Sequence, residues 1–136
     1  MTIRPIARDA ATAEFFDGTA AGEFRLKRSR TTGEILAPQC LTDSAGAVDL
    51  EWIAASGAGH VVSWAVSYGK PVDGVQLPSS VVGIVELAEG PWWWCEILGA
   101  DPAAMHEGLA VTVEFVRPAE TSEVVPVFRV AGAPIS

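Results

Sequence analysis

The sequence predicts a mainly β protein: a small five-stranded barrel behind a short N-terminal helix and a two-knuckle subdomain. Three observations carry this. From residue 60 onward, apolar and small or polar residues alternate with period two in several stretches, the mark of strands with two different faces. Gly- and Pro-rich bends separate those stretches. Helical signals are confined to a few residues near the N-terminus and one turn at residues 101–108.

In chain order, residues 1–11 form a weakly patterned arm, expected to be mobile or draped on a partner. Thr12 is placed to N-cap a helix beginning Ala13-Glu14-Phe15-Phe16, and Gly18 or Gly22 ends it. So short a helix is marginal in water, so its adjacent phenylalanines must pack on something, either its own domain or another chain. Phe24 and Leu26 alternate with charged neighbours as a strand. Thr32-Gly33 makes a turn, Ile35-Leu36 a second short strand, and Asp43-Ser44-Ala45-Gly46 a second turn. A subdomain this small usually needs a metal or a disulfide, and it holds one cysteine, Cys40.

Leu50–Ala54 opens the all-β part. His60–Tyr68 follows, with Val62, Trp64, Val66 and Tyr68 on one face and Val61, Ser63, Ala65 and Ser67 on the other. Trp64 is assigned to the core, Tyr68 to the rim, and Trp52 to the junction between the two units. A loop over residues 69–79 leads into a hairpin around Glu89-Gly90-Pro91. In its second strand Trp93, Cys95 and Ile97 are assigned inward and Trp92, Trp94 and Glu96 outward. Leu109–Val116 and Val124–Val130 complete the set, the latter ending in Gly132 and Pro134. The expected divisions are 1–22, 23–49 and 50–136. Five barrel strands with a helical turn between the third and fourth suit an OB-fold; an immunoglobulin-like sandwich wants about seven.

At 136 residues the chain can bury a core. Its net charge of −8 is uneven: residues 1–30 carry six basic and four acidic side chains, the remainder three and thirteen. An acidic body repels phosphate backbones, so nucleic acid is not an expected partner. The basic cluster Arg25, Lys27, Arg28 and Arg30 is either a solvated strand surface or a site for an acidic partner or phosphorylated ligand. Arg25, Lys27 and the rim residue Tyr68 are the candidate ligand contacts. No run approaches the roughly 18 apolar residues of a membrane span, and the N-terminus lacks the pattern of a signal peptide. The expectation is a cytoplasmic protein in which Cys40 and Cys95 stay reduced.

Catalytic signals are lacking. Cys40, Cys95, His60 and His106 lie in unrelated stretches, and no nucleophile elbow, zinc-protease helix, phosphate loop or dinucleotide fingerprint occurs. No catalytic residue is assigned. Trp92 and Trp94 are left with three readings: a partner interface, cover from the helix, arm or finger, or stacking on a ligand ring.

The ordered pieces Gly22-Glu23-Phe24-Arg25-Leu26, Asp49–Trp52, Gly57–Trp64, Val85–Pro91, Leu98–Pro102 and Gly108–Phe115 resemble the acyl-CoA-associated zinc-ribbon plus OB-fold proteins, domain of unknown function family 35. The resemblance covers nearly the whole chain. It implies a rubredoxin-like finger with two Cys-x-x-Cys pairs around a structural zinc. Here those positions are Ser29, Thr32, Cys40 and Asp43. Hydroxyls are poor zinc ligands beside thiolates, so the expectation is a metal-free finger held by Phe24, Leu26, Ile35, Leu36 and contacts to the barrel or a partner, and no cofactor. The resemblance further implies a non-catalytic accessory subunit of a thiolase-like aldolase or acyltransferase, with acyl-CoA as the substrate of the complex. Phe15, Phe16, Trp92 and Trp94 are the expected partner contacts. The alternative is a stand-alone OB-fold module binding acyl-CoA or a related ligand.

Overall fold

The computed structural model describes residues 6–68, 71, 73–75 and 78–131. Residues 69, 70, 72, 76 and 77 of the loop expected at 69–79, and Gly132 and Pro134, lie outside that range. One helix, α1 (Ala13–Ala20), precedes eight strands: β1 (Arg25–Ser29), β2 (Ile35–Leu36), β3 (Leu50–Ala54), β4 (Ala58–Tyr68), β5 (Pro78–Leu87), β6 (Trp92–Leu98), β7 (Ala110–Val116) and β8 (Val125–Val130). A 3-10 turn, Pro102–Ala104, joins β6 to β7, with the Asp101 side chain accepting from the Ala103 amide.

Strands β4 to β8 close into a barrel of order β4-β5-β6-β8-β7. All pairs are antiparallel except β6–β8, and β4–β7 seals the ring through Ala58↔Thr112, Gly59↔Val111 and His60↔Ala110. This is the expected five-stranded OB-fold arrangement. The other three strands form a separate sheet, β2-β1-β3. Here the structure differs from the division expected at residue 50. Leu50–Ala54 pairs along its length with β1, matching Leu26 to Ile53 and Lys27 to Trp52. The finger needs this third strand because β1 and β2 share only two residue pairs. The barrel begins at Ala58, after Gly57 turns the chain at φ +85°.

The face assignment within β4 is also corrected. Val61 pairs with Val85 but Ser63 pairs with Ile84, so the register slips by one residue at Val62. A bulge moves every later side chain to the opposite face. Trp64 then faces Gly83, and Val66 faces Val81, on the side that Val61 occupies before the bulge. Trp64 is 37% exposed and is not core. Strict alternation cannot reveal an inserted residue.

The helix ends in a Schellman motif: the Glu23 amide donates to the Gly18 carbonyl, the Gly22 amide to that of Thr19, and Gly22 holds φ +78°. Phe15 and Phe16 are 7% exposed and belong to the main hydrophobic core. Expected as partner contacts, these adjacent residues on one short helix have both found cover within their own chain, and both also line a groove. Phe15 stacks on Trp93 and meets Phe24 edge-on; Phe24 in turn contacts Trp93 and Phe128. The buried Thr19 hydroxyl donates to the Val124 carbonyl at 2.6 Å, pinning the helix to the start of β8. The arm is docked from Ile6 onward. Its amide donates to the Ser122 hydroxyl, its carbonyl accepts from the Glu123 amide, and Arg8 bridges Glu123 and Asp17. No helix among the described residues is long and apolar enough to cross a membrane.

Gly83 is where this packing has least slack. A Cβ there would lie 2.7 Å from Ile97 Cδ1 and 2.8 Å from the Ser63 carbonyl oxygen. Backbone cannot swing aside as a side chain can, so Gly83→Ala is expected to lower stability by about 1–3 kcal/mol in denaturant unfolding.

Candidate functional site

The hairpin of β5 and β6 sets out the most exposed aromatic surface of the chain. Its turn is closed by the Leu87 amide donating to the Pro91 carbonyl, with Gly90 at φ +115°. Pairing Glu86↔Trp92, Val85↔Trp93 and Ile84↔Trp94 then dictates sides, because directly opposed residues share a face. Val85 is fully buried, so Trp93 turns inward with it, while Trp92 and Trp94 project outward, 56% and 71% exposed. Two rows cross this outer face. Trp92 Nε1 donates to Glu86 Oε2 at 3.1 Å, and Glu86 Oε1 lies 3.4 Å from His60 Nε2. Beside it, Trp94, Ile84 and Ser63 form an uncharged row. Internal cover of the two tryptophans, one of the readings left open above, is not what the fold provides: the helix covers Trp93 instead.

Trp94 also forms one wall of an apolar groove of about 510 Å³. Phe15, Trp93 and Val125–Val127 line it within the chain, and Leu41, 79% exposed on the finger, stands among the lining residues as well. Little in the sequence signals this groove. Its elements are distant in the chain, and residues 125–128 of β8 are all buried, which erases the alternation that would have distinguished a groove face from a barrel face. The one local signal was Leu41, an isolated large apolar residue in a polar knuckle. Glu96, expected outward with Trp92 and Trp94, is buried and lines the same groove.

The three candidate ligand contacts do not converge. Arg25 is held by Glu14 at 2.7 Å and Glu23 at 2.9 Å, and its stem packs against Gly18, where a Cβ would meet Arg25 Cδ at 2.6 Å. These carboxylates raise its pKa, chiefly through the Glu23 hydrogen bond. Arg28 and Arg30 both meet Glu51. The basic cluster is thus matched by the chain's own acids. Lys27 does line the groove; its Nζ donates to the Cys40 carbonyl at 2.7 Å and sits 4.9 Å over the Trp52 ring. Tyr68 is exposed on β4 and is not among the groove residues.

No nucleophile meets a base here. Burial pushes the Cys95 thiol up to about 12, which disfavours the reactive thiolate. His60 lies against Glu86, and His106 Nδ1 is 3.0 Å from the neighbouring Glu107 carbonyl oxygen. Among the described residues no three His, Cys, Asp or Glu side chains gather as metal ligands would. The four zinc positions implied by the resemblance do not fit the ion. Ser29 and Thr32 both donate their hydroxyl protons to Asp43, whose other oxygen is taken by two backbone amides.

Comparison with known proteins agrees with this architecture. Residues 52–116 match the family described as "ChsH2, C-terminal OB-fold domain". The chain is 32% identical over 105 residues to the 3-oxo-4,17-pregnadiene-20-carboxyl-CoA hydratase alpha subunit of Mycobacterium tuberculosis, covering 77% of this chain and 33% of that protein. It is 31% identical over 86 residues to a probable enoyl-CoA hydratase alpha subunit of Thermomonospora curvata, covering 63% of this chain and 26% of the relative. It therefore spans about a third or less of the curated relatives it matches. Among solved structures, a chain of the Ltp2-ChsH2(DUF35) aldolase superposes with a TM-score of 0.77 at 26% identity, covering 94% of this chain and 99% of that one. A DUF35-family protein of unknown function from Sulfolobus solfataricus shares the fold, with a TM-score of 0.60 at 16% identity over 89% of this chain and 85% of that one.

The buried, high-pKa thiol gives a direct check of the inward face of β6. Cys95 is expected to resist iodoacetamide at pH 8 in the folded protein and to react once the chain is unfolded, as followed by peptide mass spectrometry.

Proposed function

We propose that this chain, which matches the ChsH2 C-terminal OB-fold family over residues 52–116 and superposes on a chain of the Ltp2-ChsH2(DUF35) aldolase, is a member of domain of unknown function family 35 and serves as a non-catalytic accessory subunit of a hetero-oligomeric acyl-CoA enzyme. The proposed partner is a thiolase-like chain, acting as an aldolase of the kind used in steroid side-chain degradation or as an acyltransferase. The observation that carries the reading is the pair Trp92 and Trp94, exposed on one face of a strand that pairs with β5 along this stretch. Large aromatics left in water on regular structure are characteristic anchors of protein interfaces. The adjoining groove continues the apolar surface past Trp94 to Leu41. The relatives' names support the same direction: one is an aldolase with a ChsH2(DUF35) component and two are hydratase alpha subunits. In this reading the catalytic groups belong to the partner, consistent with a chain whose thiols and imidazoles form no reactive pair.

The second reading, a module that binds acyl-CoA or a related ligand by itself, is favoured by the groove and by Lys27 in its wall. Against it stands the pairing of Arg25, Arg28 and Arg30 with carboxylates, which leaves little free positive charge for a phosphorylated ligand. Calorimetry separates the two. The subunit reading expects little heat when CoA esters are added to this chain alone, whereas the module reading expects saturable binding.

Replacing both Trp92 and Trp94 with Ser should leave the barrel folded, with an unchanged far-UV spectrum. The same variant should weaken assembly with a co-expressed thiolase-like chain by at least about 10-fold, since interface tryptophans commonly carry upwards of 1–2 kcal/mol each. A wild-type chain that stays monomeric and leaves such a partner's solubility and activity unchanged would sink the proposal.

A further inference from the structure

The finger has a polar centre. Ser29 is 1% and Asp43 4% exposed, and they stand in different knuckles, 14 residues apart. Ser29 Oγ donates to Asp43 Oδ2 at 2.7 Å, and Thr32 Oγ1 donates to the same oxygen at 3.1 Å. Asp43 Oδ1 accepts the amides of Ala45 and Ala47, both at 2.9 Å. The first knuckle thus fills one carboxylate oxygen and the second knuckle fills the other. Ser29 Oγ extends the network by accepting the amides of Thr31 and Thr32 at 3.2 and 3.1 Å. Gly33 and Gly46, at φ +77° and +89°, turn the two loops back toward this point. Their amides close the turns on the Ser29 and Asp43 carbonyls.

We propose that the Asp43 carboxylate clamps the two knuckles together in the place where a ribbon of this kind holds a metal ion. A tetrahedral ion ties two loops by drawing two ligands from each; Asp43 draws two hydrogen bonds from each. The bonds are charge-assisted, which makes them stronger than neutral ones and gives the anion a structural role. They also hold the Asp43 carboxyl below its usual range, the Ser29 bond contributing most, so the clamp is in its charged form at neutral pH. The Ser29 hydroxyl also accepts two backbone amides, the Thr32 hydroxyl accepts that of Glu34, and the carboxylate is ringed by four donors, so few electron pairs are left turned toward a cation. The finger should accordingly be indifferent to chelators and to zinc supply. It should instead depend on a negative charge and two acceptor oxygens at position 43. This inference stands apart from the proposed function, since it concerns what holds the finger, whatever the finger serves.

Metal content and thermal unfolding of the full chain test it. The purified protein should contain no stoichiometric zinc, and its Tm should be the same with excess chelator or excess zinc. Asp43→Asn, which replaces one acceptor oxygen with a donor, should lower Tm by about 5 °C or more. Ser29→Ala, which keeps the carboxylate and its bonds from the Ala45 and Ala47 amides while removing the hydroxyl that the Thr31 and Thr32 amides meet, should lower it by less. Should Asp43→Asn fail to fold, Ser29→Ala and Thr32→Val still read the clamp, each expected to cause a measurable drop. Stoichiometric zinc, a chelator-induced fall in Tm, or Asp43→Asn and Ser29→Ala variants as stable as the wild type would each overturn the proposal.

Discussion

The structure depends on one aromatic contact set centred on Phe24. That residue sits at the very start of the finger, one position before β1, and is almost wholly buried. Its ring touches Phe15 from the helix, Trp93 from β6 and Phe128 from β8, at centroid separations of 4.9 to 6.1 Å. Helix, finger and barrel are each too small or too irregular to hold alone, and this cluster gives them a shared core. Edge-on and stacked pairs contribute about 0.5–1.5 kcal/mol each beyond the area they bury, so a few of them weigh appreciably against the roughly 5–15 kcal/mol that holds a domain folded. The Thr19 bond to the Val124 carbonyl and the Arg8 bridges then tie helix and arm to the same corner.

Recruiting Trp93 into that cluster determines what is left outside. A strand with large apolar groups on both sides needs two sources of cover. The helix supplies one, through Phe15 lying against Trp93. Nothing in the described chain covers Trp92 and Trp94, so the exposed surface follows directly from which face of β6 the helix occupies. The groove follows from the same arrangement: α1, β6, β8 and the finger meet around the core but do not close over it. The apolar surface most suited to a partner is thus a by-product of how the three units are joined.

Charge is handled locally. The cationic stretch of β1 looked available when read alone, yet its arginines are answered by Glu14, Glu23 and Glu51, which lie on the helix, the linker and β3. These are exposed or partly exposed pairs, worth little individually to stability. Their consequence here is specificity, because they remove free positive charge from the surface. The finger uses the opposite device, a buried carboxylate that satisfies donors from both knuckles.

The barrel strands, the hairpin at Glu89-Gly90-Pro91, the helix and its glycine stop, and the outward direction of Trp92 and Trp94 were all legible in the residues alone. All of these rest on local turn chemistry and period-two or capping signals that need only neighbouring residues. The packing of Trp64 was not legible in the alternation: the bulge at Val62 puts it on the same face as the buried Val61, opposite Gly83, yet it stays 37% exposed. The same holds for β3, whose apolar pattern suits either sheet and whose membership depends on which edge was free to pair. Phe15 and Phe16 carried the clearest case of an undecided reading. Their hydrophobicity required cover, but whether that cover came from another chain or from Phe24 and Trp93 depended on residues 9 and 78 positions from Phe15 meeting in space.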